Sequence, residues 1–280
     1  MLIKKGKTNI KYLLIVVILA AIVGGSIFWY VMKQETQLPE NIKKIEISEG
    51  VVDKIINEVL PSKFDMENAR YNINDLNEDG YPEIIITAVQ LRNGYFTILT
   101  VLDEKGNYEK DGSLEYEEAF RGIPVVEDVQ DIDNDNQKEI FLSLGFGGAS
   151  TMAEGILDWD FSNKKLDWVK FQDETGNTEN AIFWVGASAM HHHVYTIDDL
   201  DKDGQKEIIK IDAWGEYKKP EDLEPWEILI PMVTPMGEEE MWWRCQARAY
   251  EWNGLAFSYN EELSKKMFSR LEYDCMIEGY

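Results

Sequence analysis

Three stretches of the chain share one pattern: an acidic nine-residue loop that runs straight into an apolar, β-branched run. Asp75-Leu-Asn-Glu-Asp-Gly-Tyr-Pro-Glu83 precedes Ile84-Ile85-Ile86, and Asp131-Ile-Asp-Asn-Asp-Asn-Gln-Lys-Glu139 precedes Ile140-Phe141-Leu142. The third copy, Asp199-Leu-Asp-Lys-Asp-Gly-Gln-Lys-Glu207, precedes Ile208-Ile209-Lys210-Ile211. Oxygen-bearing side chains recur at positions 1, 3, 5 and 9 while residues between them vary. That selects for a hard cation, and calcium is the natural one.

The opening is shared with the EF-hand, but the rest is not. An EF-hand needs a bidentate Glu at position 12 and a helix on each side. Here position 12 is Ile86, Leu142 and Lys210, inside β-type runs, and the last carboxylate comes at position 9. The pattern therefore predicts a hairpin loop closing over one ion. The first site would use Asp75, Asn77, Asp79, the carbonyl of Tyr81 and Glu83. The second would use Asp131, Asp133, Asp135, the Gln137 carbonyl and Glu139, and the third Asp199, Asp201, Asp203, the Gln205 carbonyl and Glu207. Position 6 must turn with positive φ, which Gly80 and Gly204 do freely and Asn136 tolerates next best. An oxygen-only donor set argues against zinc and copper, which prefer His and Cys. The competing reading is a polar turn in which Asp and Asn cap their own backbones.

Around the loops the chain reads as β structure. From about Arg70, short runs rich in Ile, Val, Tyr and Phe are separated by Gly, Asn and Asp turns. Tyr71 to Asn74, Val125 to Val129 and Val194 to Asp198 lead into the loops. Hairpins follow: Tyr95 to Leu102 and Tyr108 onward, Gly155 to Asp160 and Lys165 to Phe171, Met241 to Trp252 and Leu255 to Tyr259. The unit of strand, loop, strand and hairpin restarts after 56 and 68 residues, slightly more than a four-stranded propeller blade needs. Helical spacing of Val51, Val52, Ile55, Ile56, Val59 and Leu60 predicts a helix over 48–60, capped by Ser48 and stopped by Pro61. Leu263, Met267, Phe268 and Leu271 predict another over 260–273.

With these features in view, the chain resembles the FG-GAP and VCBS calcium-loop repeats of integrin α-subunit propellers and many bacterial surface proteins. Gly145-Phe-Gly-Gly-Ala-Ser150 is similar to the Gly-Ala-Pro end of that repeat; the other two units lack it. The resemblance covers roughly 70–260 and implies structural calcium in loops that join two strands of a blade. The expected fold is mainly β, a β-propeller-like array of three to four four-stranded blades with a transmembrane helix and short flanking helices.

Leu13 to Met32 is a run of 20 residues without a charge, the length that spans a bilayer as a helix. Residues 1–12 carry four lysines and no acid, which places them in the cytoplasm, and Trp29-Tyr30 would mark the far interface. Residues 33–47 read as a tether and 48–280 as an extracellular domain of a single-pass cell-membrane protein. A cleaved signal peptide is the alternative, since Ala20-Ala21 and Gly24-Gly25-Ser26 are small. The whole chain has a formal net charge of −24, and the basic segment makes the remainder more acidic still. Such a body repels nucleic acid and anionic lipid. Cys245 and Cys275 both fall in the exported part, where a disulfide and two separate thiols are both open.

Other residues carry less. Adjacent residues on a strand face opposite sides, so at most two of His191, His192 and His193 could share a metal. They read as surface or partly buried histidines. Most tryptophans read as packing between sheets; if any form a binding surface, Trp214, Trp226, Trp242 and Trp243 are the choice, near the Gly215 to Glu240 insertion. The chain has no His-Glu-x-x-His, no Gly-x-Ser-x-Gly and no phosphate loop. Its expected function is a calcium-stabilised binding or adhesion module for a surface protein or glycan. A glycan-active hydrolase or carbohydrate-binding protein built on the same scaffold is the alternative.

Overall fold

Long β-branched runs with no helical period fold as strands, and the three runs behind the acidic loops are the central ones. The computed structural model describes residues 47–64, 66–91, 93–117, 122–148, 151–187, 191–216, 227–233 and 240–267. The basic segment 1–12, the apolar span 13–32 and nearly all of the tether lie outside them, as do Trp226, Cys275 and the end of the helix expected over 260–273. No helix among the described residues is long and apolar enough to cross a membrane.

The first unit is a four-stranded antiparallel meander: β1 (Ala69–Asn74), β2 (Glu83–Gln90), β3 (Asn93–Val101) and β4 (Tyr108–Glu117). Strands β2 and β3 are buried on both faces, which is why they read as continuous apolar runs rather than alternating ones. On one face, Ile84, Ile86, Tyr95, Leu99 and Val101 pack with Val52, Ile55 and Ile56 of α1 (Glu49–Val59). Ser48 stands at the N-cap with its carbonyl receiving the Val51 and Val52 N–H groups, while its hydroxyl makes no cap bond. The other face presents Ile85, Phe96 and Ile98 to the second sheet. Each such fully buried side chain contributes about 1.5–3 kcal/mol relative to exposure.

The second sheet runs β5 (Val125–Gln130), β6 (Glu139–Gly148), β7 (Thr151–Asp160), β11 (Ile182–Ala187), β12 (His191–Asp198), β13 (Glu207–Glu216), β15 (Glu240–Trp252), β16 (Phe257–Asn260), β9 (Lys170–Gln172) and β10 (Thr178–Asn180). Two further strands flank it, β8 (Lys165–Trp168) on β7 and β14 (Glu227–Val233) on β15. β14 lies within the stretch read from sequence as a loop-like insertion. Trp168 seats against Phe96 and Tyr116 of the first sheet in edge-on contacts at 5.8 and 5.6 Å. Gly155 makes this possible, because a Cβ there would stand 2.6 Å from the Trp168 ring. A second core joins Phe141, Ile156 and Val169 to Ile208, Tyr250 and Phe257. A third sets Ile209, Ile211, Cys245 and Ala247 against Met267 of the helical residues 261–267. Cys245 there is a buried free thiol.

The protein is mainly β, but the propeller expectation is corrected. Separate blades pack face to face without sharing hydrogen bonds. Here β11 pairs with β7 on one side and β12 on the other, so the second and third units are one twelve-stranded sheet. β9, from the second unit, adds in parallel to β16 of the third. The sheets are neither closed nor propeller-like, and residues 170–187 are the cause.

Candidate metal centres

Each acidic loop leaves the end of one strand and enters the next: β1 to β2, β5 to β6, and β12 to β13. The apolar residue at position 2 anchors the loop. Leu76 and Ile132 are fully buried and Leu200 is half-buried, each in or against a different core. This anchor was present in the sequence as Leu, Ile and Leu but hidden among the variable positions.

The internal hydrogen bonds repeat in register. The position 2 N–H donates to the position 9 carboxylate in Leu76 to Glu83, Ile132 to Glu139 and Leu200 to Glu207, at 2.7, 2.8 and 2.7 Å. The position 6 N–H donates to the position 1 carboxylate, from Gly80 to Asp75, Asn136 to Asp131 and Gly204 to Asp199. Side-chain oxygens at positions 3 and 5 accept from positions 5 and 7 in all three loops. As expected, φ is positive at position 6, at Gly80, Asn136 and Gly204. It is also positive at position 4, at Glu78, Asn134 and Lys202 (57°, 64° and 67°). Left-handed backbone at Glu and Lys costs about 1 kcal/mol each, and no residue-type preference marks it in the sequence.

The loops thus gather oxygen at positions 1, 3, 5 and 9, while Lys138, Lys202 and Lys206 stand at the positions between. In the second, oxygens of Asp131, Asp133 and Glu139 lie within 4.8 Å of one another, and in the third those of Asp199, Asp201 and Asp203 do. The first loop has Asn77 at position 3 and one carboxylate fewer. There Asp75 Oδ1 is buried without a hydrogen-bond partner. Its counterparts Asp131 Oδ1 and Asp199 Oδ1 accept the position 4 N–H at 2.7 and 2.6 Å. Glu83, Glu139 and Glu207 are 0, 3 and 1 % exposed, and among the described residues no Lys or Arg pairs with any of them. Burial pushes Glu83 and Glu207 up to about 7 and Glu139 up to about 9, with neighbouring loop carboxylates adding to each. Burial, then Asp135, raises Asp133 to about 6. A buried carboxylate without a cation is costly. The donor set fits a hard divalent cation: the residues at positions 1, 3, 5 and 9 would hold it, and calcium would supply the missing charge.

The loops are also joined to one another. The Lys138 N–H, at position 8 of the second loop, donates to the Leu76 carbonyl, at position 2 of the first, at 3.0 Å. Lys206 N–H repeats the bond to the Ile132 carbonyl at 3.0 Å. Their ammonium groups reach back as well, Lys138 to the Asp75 carbonyl and Lys206 to Gln130. The first loop carries Pro82 at position 8, which has no N–H to give, so the series begins there. Lys138→Pro should therefore unlink the first two loops without altering a carboxylate. We expect a loss of about 1 kcal/mol and a melting point lower by about 2–4 °C, whereas Lys138→Met, which keeps the N–H, should lose less. Equal losses in the two variants would deny the backbone link its role.

The remaining sequence candidates lie elsewhere. His191 and His193 share a face of β12, with rings stacked at 6.1 Å, and His193 Nδ1 is 2.7 Å from Asp212. Trp159 and Trp168 are core. Trp214 lies under Arg244 at 5.4 Å. Among the described residues the tryptophan that stands out into solvent is Trp184, 49 % exposed, which the sequence alone did not single out. Comparison with family models, curated proteins and solved structures finds no match for this chain.

Proposed function

We propose that this chain is a single-pass protein of the cell membrane whose exported β-repeat domain is held by three structural calcium ions and serves as a binding or adhesion module. The observation that carries the calcium reading is the trio Glu83, Glu139 and Glu207: buried, without cationic partners among the described residues, and each facing the carboxylates of its own loop. The matched bonding of the loops and the resemblance to FG-GAP and VCBS repeats support it. So does the oxygen-only donor set. Calcium here is a structural clamp within a strand connection, not a sensor, because nothing in the loop drives a helix pair to open.

The test is calorimetric titration of the cation-stripped full chain with calcium. The expected result is three sites with dissociation constants of ~10⁻⁴ to 10⁻³ M, the range of extracellular modules. A titration without saturable heat, or one equally well satisfied by magnesium, would remove calcium from the account. Orientation is tested separately by protease added to intact cells, where the acidic body should be digested.

A hydrolase reading is favoured by one feature. A cavity of about 200 Å³ beside the second loop brings Asp133, Glu139, Asp158 and Asp167 against Trp168 and Trp252, and burial raises Asp158. A pair of carboxylates flanking the scissile bond is what most glycoside hydrolysis uses. Release of reducing ends from an oligosaccharide, abolished in Asp158→Asn, would favour this reading over a purely binding module.

A further inference from the structure

A second cavity, built from different strands and free of the acidic loops, has the composition of a ligand site. It measures about 340 Å³, at the small end of the range for small-molecule sites. Phe171 of β9 with Phe183 and Trp184 of β11 form its aromatic lining, and Glu179, His193 and Lys210 supply its polar groups. The lining is braced from behind. Phe171 packs edge-on to Phe183 at 5.5 Å and lies 4.0 Å from Tyr250, while Phe183 lies 4.7 Å from Tyr195.

The polar groups are held as well. Asp212 of β13 is buried, and its carboxylate gathers His193 Nδ1 at 2.7 Å, Lys210 Nζ at 3.3 Å and Arg248 Nη1 at 3.2 Å. Arg248 in turn reaches Glu174 at 3.3 Å. A carboxylate only accepts, so the Nδ1 of His193 carries the proton of that bond, and the bond fixes the orientation of the ring. The cavity therefore offers a held donor in Lys210, a held imidazole in His193, an exposed carboxylate acceptor in Glu179, and aromatic faces beside them. Groups positioned in advance lose less freedom on binding.

We propose that this cavity binds the ring of a neutral sugar. Lys210 and Arg248 face three carboxylates, Asp212, Glu174 and Glu179, an excess of one negative charge that disfavours an anion, while the Lys210 ammonium in the lining disfavours a cation. A flat apolar ligand would take water from Lys210, His193 and Glu179 and give them no new partner. A pyranose satisfies both halves: its C–H face lies on an aromatic ring, whose face is electron-rich, and its hydroxyls both give and accept hydrogen bonds. Trp184 is the platform, and Lys210, His193 and Glu179 read the hydroxyls. This rests on the domain being a binding module, and it is independent of the cation.

The test uses the full chain in a detergent without a sugar headgroup, with calcium present. Methyl glycosides of glucose, galactose and N-acetylglucosamine are titrated in turn, followed by saturation-transfer NMR and calorimetry. One of them should saturate a single site in the millimolar range. Trp184→Ala, which removes a half-exposed side chain, and Lys210→Met should each weaken it about tenfold or more, with calcium-dependent melting unchanged. No saturable glycoside, or undiminished binding in Trp184→Ala, would overturn the proposal. So would binding that is lost only when the acidic loops are altered. Because melting reports the calcium sites and titration reports the cavity, failure of one reading leaves the other measurable.

Discussion

Removing divalent cations from the protein should lower its melting temperature by about 10 °C. At ~1 mM calcium, three sites with dissociation constants of ~10⁻⁴ M contribute about 1.4 kcal/mol each. For a domain of this size, about 4 kcal/mol in total corresponds to that shift. The triple variant Asp79→Asn, Asp135→Asn and Asp203→Asn removes one charge per loop. It keeps the side-chain oxygen that accepts the N–H of Tyr81, Gln137 and Gln205, so the loops can still fold. It should melt near the cation-free temperature of the native chain and respond little to calcium. A full calcium shift in that variant, or none in the native chain, would show that the loops are polar turns that hold only their own backbones. Neighbouring loops share backbone bonds through Lys138 and Lys206. Single variants should therefore disturb the adjacent site more than the distant one.

Glu139 should give the largest single-residue effect, with a size that depends on what replaces it. Glu139→Ala orphans the Ile132 N–H, now bonded at 2.8 Å, and empties a buried volume. The expected loss is about 3 kcal/mol without calcium and larger with it. Glu139→Gln keeps an acceptor and resembles the protonated acid. Burial pushes Glu139 up to about 9, so at neutral pH in cation-free protein this substitution should cost little and forfeit only the response to calcium.

The same shift fixes a pH profile. The folded pKa lies above that of the unfolded chain, so the favourable contribution is complete below about 4.5 and is lost as pH rises, through about 7 for Glu83 and Glu207 and about 9 for Glu139. Cation-free protein should thus lose stability from mildly acidic to alkaline pH. Calcium, which binds the ionised form, should flatten that fall, and Glu139→Gln should remove its alkaline limb. Chemical denaturation across pH, with chelator and then with calcium, measures all of this. A cation-free protein that gains stability over this range would contradict the assignment of buried, unpaired acids.

Much of the site was legible in the chain because its information is local. Positions 1, 3, 5, 6 and 9 of each loop are read within nine residues, and the bonds among them stay within the loop. The β character of Ile84 to Ile86 and Ile208 to Ile211, and the helix over Glu49–Val59, are local as well. The left-handed residue at position 4 escaped because Glu, Asn and Lys share no preference that signals it. The buried anchor at position 2 escaped because Leu76, Ile132 and Leu200 acquire meaning only from the cores beneath them.

The arrangement of the units could not be read in the same way. Strand pairing is decided by which edges meet, and a short segment such as Ile182–Ala187 carries no mark of its partners. Once it bonds to both β7 and β12, two units that looked like separate blades become one sheet. The cavity beside Trp184 exists only because that pairing brings β9, β10, β11, β12 and β13 together. The chain by itself therefore determined the three acidic loops, the β class and the oxygen chemistry, since each is a matter of neighbours in sequence. Only the tertiary structure decided that the loops are linked in series, that the glutamates are buried with no cationic partner among the described residues, and that Trp184 rather than Trp214 or Trp242 stands exposed. Burial and edge pairing are properties of contacts between residues far apart along the chain.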